Sequence, residues 1–281
     1  MNDETSMASP ARSSDPATSR ANVQDVLPLL PNHLALLLYR DRAGADPGFL
    51  QVRYRLEGPL DVARYQQAWQ AVVDRHPALR ASIRLRESDD PLMVVWRRAE
   101  LPVVSEDWRS LSDQRARFDQ LLESDRGRGL DLSAVPPMRL HLIRTQDETY
   151  EAIWTCHHLY VDGWSSAIVL DDVMALYRSS NGPGGPAPPS DGLRSYVMWA
   201  VDQDDEPLRA YWSAALRGYR GAPVLNVGSV RGASGFGELA VEIESGMAER
   251  ISSVASDLNT PPAVLFQAAW ALVLRTLTGE D

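Results

Sequence analysis

One cysteine, Cys156, is all the chain contains, so no disulfide framework can form within it. Basic residues are also in deficit: 28 Lys and Arg face 38 Asp and Glu, for a formal charge of -10. Nucleic-acid binding requires a basic face to neutralise phosphates, and an acidic chain is repelled by an anionic lipid surface, so neither partner is expected. No apolar run approaches the ~20 residues of a membrane-spanning helix, and the N-terminus has no hydrophobic signal region. HExxH and paired CxxC spacings are both missing, which leaves no ready set of metal ligands. These absences point to a cytoplasmic protein with no metal.

What is present suffices for two domains: 281 residues, 44% of them hydrophobic. Residues 1–24 open with "MNDETSMASPARSSDPATSRA", which has too few large apolar side chains to offset its ordering entropy. This segment is expected to be a disordered tail or a docking segment. Residues 25–178 alternate helical and extended patterns. Leu34, Leu37 and Leu38 mark a helix after Pro31. Leu50, Val52, Tyr54 and Leu56 alternate as a half-buried strand. Tyr65, Ala68, Trp69, Val72 and Val73 then recur at helical spacing behind Asp61, a natural N-cap. Strands are expected at "LRASIRLRE" and "LMVVWRR", and a helix at "SDQRARFDQLLESDRG" closing on Gly127. "PPMRLHLIRTQDETYEAIWTCHH" reads as two strands about a polar turn, followed by a helix capped by Ser165 or Ser166.

Helices interleaved with strands imply a layered α/β (α+β) lobe. Residues 179–192, "SSNGPGGPAPPSDG", break both periods and read as a linker. Residues 193–281 hold helices, a strand at "GELAVEIES", and a last helix, "PPAVLFQAAWALVLRTLTG", with a wide apolar surface. A helix of that kind normally needs further protein to cover it, so an incomplete second lobe is expected. Trp69, Trp199, Trp212 and Trp270 sit at helical spacing with other apolar residues and are expected in the core.

The chemistry concentrates in residues 154–164, "WTCHHLYVDGW", which hold two of the five histidines. Side chains alternate faces along a strand, so His157 and His158 cannot point into one cavity or chelate one ion. Cys156 and His158 would share a face, but at roughly 6–7 Å along the backbone they lie beyond direct hydrogen-bond reach. Cys156 therefore reads as a small buried hydrophobe. Two readings of the histidines stay open from the residues alone. They are a structural pair, or one is structural and the other a general base, since imidazole is largely neutral at physiological pH. In the turn that follows, Asp162 can bond backbone or an arginine, and Gly163 permits close backbone approach.

"HHLYVDGWS" resembles the HHxxxDG signature of condensation domains from nonribosomal peptide synthetases. "RHPALRASI" (75–83) is similar to that family's RHxxLRxxF motif, and "SYVMWAVDQ" (195–203) to its YxxFxxW stretch. The resemblance runs over roughly residues 25–281. Its first motif departs from the pattern, with Asn32 and His33 in place of the usual polar residues, and the family's later motifs fall beyond residue 281. The resemblance implies a chloramphenicol acetyltransferase-like N-lobe and the first part of a second, similar lobe. By that resemblance His158 is the tunnel-facing catalytic histidine and His157 packs on the other side. Asp162 holds the loop through an ion pair with Arg80 or Arg75, and Gly163 lies close to the reacting thioester. Donor and acceptor carrier proteins, with phosphopantetheine arms, and neighbouring synthetase domains are the implied partners; no cofactor is bound directly. Amide formation is the implied reaction. Epimerisation domains share the motif and remain an alternative, as do a standalone acyltransferase and a non-catalytic carrier-binding module.

Overall fold

Strand alternation organises the first unit. In the computed structural model, which describes residues 18–42, 46–84, 91–179, 192–219, 221 and 241–279, residues Thr149–His157 form the long strand β7. It pairs antiparallel with β2, Phe49–Glu57, on one side and with β6, Arg139–Gln146, on the other. β5, Val103–Asp107, adds in parallel to β6 and completes a four-stranded sheet of order β2-β7-β6-β5. Even-numbered residues of β7, Tyr150, Ala152, Trp154 and Cys156, enter the main core. Two helices supply its other wall: α2, Val62–Arg75, and α4, Gly163–Arg178. Trp69 and Trp154 meet there with ring centroids 5.2 Å apart, and the five apolar residues of α2 named from periodicity are fully buried. Asp61 accepts the Arg64 amide at 3.0 Å and caps α2.

The opposite face of the sheet carries the odd-numbered residues. Ile153 and Ile143 pack with Trp108 and with Phe118 of α3, Gln114–Arg128. Helix α3 ends on Gly129 at φ 64°, where glycine is favoured; the expected stop at Gly127 is two residues early because Gly127 still lies inside the helix. Two strands show no readable alternation and are additions to the expected set: β5, and β1, Val23–Pro28. β1 joins β4, Leu92–Trp96, and β3, Ala81–Arg84, in a small antiparallel sheet of order β1-β4-β3.

Over that small sheet lies α5, Gly192–Val201, whose Val197 is buried with Leu27, Leu30, Met93 and Val95. The compact first unit consequently runs to Gln203, although the expected second lobe began at residue 193. Residues 1–17 of the expected tail and 180–191 of the expected linker lie outside the described residues. The second unit, Asp204–Asp281, contains α6, Asp205–Ala215, α7, Ser245–Asp257, and α8, Pro262–Thr278. Of the strand expected at "GELAVEIES", residues 241–244 are described and are not extended into a sheet; 237–240 lie outside the described residues. Trp69 is in the core, but Trp199, Trp212 and Trp270 are exposed, because α5, α6 and α8 each leave an apolar face uncovered among the described residues. None of the described helices is long and apolar enough to cross a membrane.

A buried carboxylate ties α3 to the sheet. Asp125 accepts the Arg139 guanidinium at 2.5 Å, the Thr155 hydroxyl at 2.6 Å and the Gln51 amide at 2.8 Å, so one side chain engages β6, β7 and β2. Burial alone would push its carboxyl up, but Arg139, Thr155 and Gln51 together hold it below the usual range. Arg139 is equally committed, donating also to the Gly129 and Asp125 carbonyls. Removing the carboxylate strands a buried cation, so Asp125→Ala should cost about 3–5 kcal/mol in urea denaturation. A cost below about 1 kcal/mol, the value of an exposed pair, would contradict this role.

Candidate active site

The two adjacent histidines are separated by the end of β7. His157 is its last residue and is 0% exposed; His158 is the first residue of the turn that follows and is exposed. The His157 ring is held at both nitrogens. Nδ1 accepts the Leu159 backbone N–H at 3.0 Å, so the ring proton resides on Nε2, which donates to Asp46 Oδ1 at 2.9 Å. Burial, opposed by the neighbouring Asp46 carboxylate, pulls the His157 pKa below its ordinary value, and the ring is neutral. Gly48 makes room for it: a Cβ there would stand 2.3 Å from His157 Cε1.

Beyond the strand, the chain turns sharply. The His158 N–H donates to the Gly48 carbonyl at 2.8 Å, and the Tyr160 and Val161 amides donate to the His157 carbonyl at 3.0 and 3.3 Å. Leu159 and Val161 are buried, which pulls the turn against the core and leaves His158 facing outward. Cys156, one residue before the pair, is buried in the main core, and burial pushes its thiol up to about 12. A thiol in that state is no nucleophile at neutral pH.

Asp162 ends the turn as the N-cap of α4. Its Oδ1 accepts the Ser165 amide at 2.7 Å and the Ser165 hydroxyl at 2.6 Å, and these bonds lower its pKa. The helix begins at Gly163, ahead of the apolar stripe, so Ser165 and Ser166 lie inside it and are not its cap. Gly163 is exposed, and a Cβ added to it would meet nothing within 4 Å.

The two arginines expected to hold Asp162 are engaged elsewhere. Arg80 is almost fully buried and donates to the Val73 and Trp96 carbonyls and to Gln24 Oε1, pinning the 3-10 turn Pro77–Arg80 to the small sheet. Arg75 pairs with Asp172 at 3.1 Å, beside His76, whose Nε2 lies 2.7 Å from the same carboxylate. Asp172 belongs to α4, so Arg75 holds that helix well along its length and not at its capping Asp162. The expected ion pair is not formed: Asp162 is exposed and uses Oδ1 as the helix cap, while both arginines are held by other partners.

Among the described residues, neither the His33 nor the His141 ring is hydrogen-bonded to a residue of the turn. His33 Nδ1 accepts the Leu30 amide at 3.2 Å at the start of α1, Pro31–Arg42, and His141 is buried on β6. Asp46, Gly48 and Arg40 carry the site's support, and the sequence patterns single out none of them. Asp46 is 111 residues from His157 in the chain, and its only local signal is the turn composition of "DPG". Among the described residues, no group of three or more His, Cys, Asp or Glu is placed to hold a metal ion.

The buried state of His157 has a measurable sign. A folded pKa below the unfolded one means that the unfolded chain takes up the proton first. The stabilisation from this group is therefore complete above about pH 6.5 and drains away as pH falls below it. In a 15N-resolved imidazole titration, His157 should stay the neutral Nε2–H tautomer as the pH falls through the ordinary histidine value. A midpoint at or above about 6.5 would contradict the burial described.

The chain as a whole is similar to known proteins. The model of the Condensation domain family matches residues 49–281. One linear gramicidin synthase polypeptide of Brevibacillus parabrevis is 33% identical over 272 residues, covering 94% of this chain and 5% of that protein. A second linear gramicidin synthase polypeptide of the same organism is 29% identical over 271 residues, with 92% and 5% covered. The chain thus spans about a twentieth of these relatives. Among solved structures, a holo four-domain nonribosomal peptide synthetase bound to AMP and glycine superimposes with a TM-score of 0.74 at 19% identity, covering 92% of this chain and 20% of that one. The first condensation domain of the calcium-dependent antibiotic synthetase gives 0.66 at 18% identity, with 91% and 62% covered. At these identities the structures establish a shared fold, and the family match establishes kinship: this chain belongs to the condensation-domain family of nonribosomal peptide synthetases.

Proposed function

We propose that this chain supplies the histidine-bearing part of a site that forms amides between two carrier-tethered substrates. On this reading the first unit, from β1 at Val23 through α5 to Gln203, is the N-lobe, residues 204–281 are the opening part of a second lobe, and the stretch before Val23 is a tail or docking segment. Donor and acceptor carrier proteins present their substrates on phosphopantetheine arms, within a cytoplasmic assembly of neighbouring synthetase domains. The observation that carries the reading is the contrast at the strand end: one histidine locked and neutral in the interior, the next exposed beside the open N-terminal turn of α4.

The reaction needs little chemistry from the protein. The acceptor amine attacks the donor thioester carbonyl, a C–N bond forms, and the C–S bond breaks to release the donor thiol. One proton leaves nitrogen and one is taken up by sulfur. An α-amine has a reference pKa of about 7.7–8.0, so part of it is already nucleophilic at pH 7. General acid–base help is typically worth ~10²–10⁴-fold, whereas alignment of two reactants supplies effective molarities up to ~10⁵–10⁸ M. His158 is then best placed to accept a hydrogen bond from the amine or steady the tetrahedral intermediate, passing the proton on to sulfur. Gly163 keeps the first position of α4 free of a side chain, and Asp162 fixes the loop as a cap.

Two substitutions separate chemistry from folding. His158→Ala removes an exposed side chain and should change stability by less than about 0.5 kcal/mol, yet lower amide formation ~10²–10⁴-fold while carrier binding persists. Gly163→Ala meets no protein atom, so the melting temperature should hold or rise while turnover falls. Wild-type turnover in carrier-loaded assays of His158→Ala would sink the proposal.

A further inference from the structure

We infer that Asp46, a residue outside every motif of the family resemblance, is a positioning residue that aims His158. The inference rests on the amide-forming reading of the site. It starts from how His158 is held. Its side chain makes no hydrogen bond or ion pair among the described residues, so what is fixed is its point of departure, the Cα–Cβ direction given by the backbone. That backbone is fixed by a closed circuit of contacts. Asp46 Oδ1 accepts the Gly48 N–H at 3.0 Å, and the Gly48 carbonyl accepts the His158 N–H at 2.8 Å. His158 is bonded covalently to His157, whose Nε2–H returns to the same Asp46 Oδ1 at 2.9 Å.

One carboxylate oxygen therefore governs both sides of the strand end. It holds the loop that receives the His158 amide, and it holds the ring of the residue immediately before. The other oxygen, Oδ2, lies 3.1 Å from Arg40 Nε, and the Arg40 Nη2 donates to the Leu130 carbonyl at 2.9 Å. Asp46 is thereby anchored to α1 and to the segment after α3, and it is itself only 16% exposed. Gly48 closes the arrangement sterically, since any side chain there would collide with the His157 ring. With both ring nitrogens bonded, His157 cannot rotate without breaking the circuit.

Displacement of the strand end by an ångström is enough to matter, because misplacing a catalytic group by about 1 Å can cost ~10²-fold. Asp46→Ala deletes the shared acceptor. Asp46→Asn retains an oxygen at the Oδ1 position but turns Oδ2 into an amide nitrogen whose hydrogens face the Arg40 Nε–H, so it keeps the shared acceptor and gives up the anchor to α1. The test compares both variants with the wild type in the full-length enzyme that carries this chain, using carrier-loaded substrates. Asp46→Ala should lower kcat ~10–100-fold at unchanged KM for both carriers, and Asp46→Asn should recover most of that loss.

A second readout is independent of turnover. The His157 Nε2–H resonance of the 281-residue chain should be slowly exchanging in the wild type and in Asp46→Asn, and lost in Asp46→Ala. Wild-type kcat in folded Asp46→Ala, or equal loss in Asn and Ala variants, would overturn the inference, as would an unchanged Nε2–H resonance in Asp46→Ala. A wild-type enzyme that forms no amide would instead sink the functional proposal, with the resonance still deciding whether Asp46 holds the strand end.

Discussion

The clamp on the His157 imidazole is the interaction on which the site depends. A neutral ring with one nitrogen accepting from the Leu159 amide and the other donating to Asp46 has a single orientation. It ends β7 at a fixed point, and the main chain then turns on the His157 carbonyl, which takes two amides of the next turn. From that point His158 is released outward, and the chain reaches Asp162 in position to cap α4. The motif thus works as a unit: an interior anchor, an exposed imidazole and a capped helix start within seven residues.

The anchor has to sit on something rigid, and the sheet supplies it from both faces. On one face the aromatic and aliphatic side chains of α2 and α4 fill the even-numbered side of β7. On the other, where packing is more polar, Asp125 joins α3 to three strands, and Glu151 is shared between Arg53 and Arg55. His157 lies on that second, polar face, which explains how an imidazole can be fully buried without being stranded: its neighbourhood already contains hydrogen-bonding partners.

Much of this is legible in the sequence, for reasons that differ by residue. Period-two alternation is a local property, so the burial of Cys156 can be read directly. The histidines do part company as expected, but because β7 stops at His157 and the chain turns, so His158 does not share the face of Cys156 as an unbroken strand would require. The α2 core residues and the Asp61 cap follow from equally local patterns. Partners distant in the chain cannot be read. Asp46 is a common turn residue, and nothing in "DPG" announces a histidine 111 residues away. The resemblance pairs Arg80 or Arg75 with Asp162, but it transfers residue types and not the hydrogen bonds that compete for them. Arg80 is taken by the Val73 and Trp96 carbonyls and Gln24, and Arg75 by Asp172. β5 escapes notice because its residues alternate neither in polarity nor in burial. The proline- and glycine-rich stretch reads as a boundary, yet α5, which follows it, still packs on the first unit.

The central claim is that neighbouring histidines have opposite environments, one enclosed and one free. Timed modification of the native chain with diethyl pyrocarbonate, followed by mass spectrometry of the peptide spanning Trp154–Trp164, measures this directly. The account predicts rapid carbethoxylation of His158 and protection of His157 until the protein is unfolded. Modification of both at comparable rates in the native protein would contradict it.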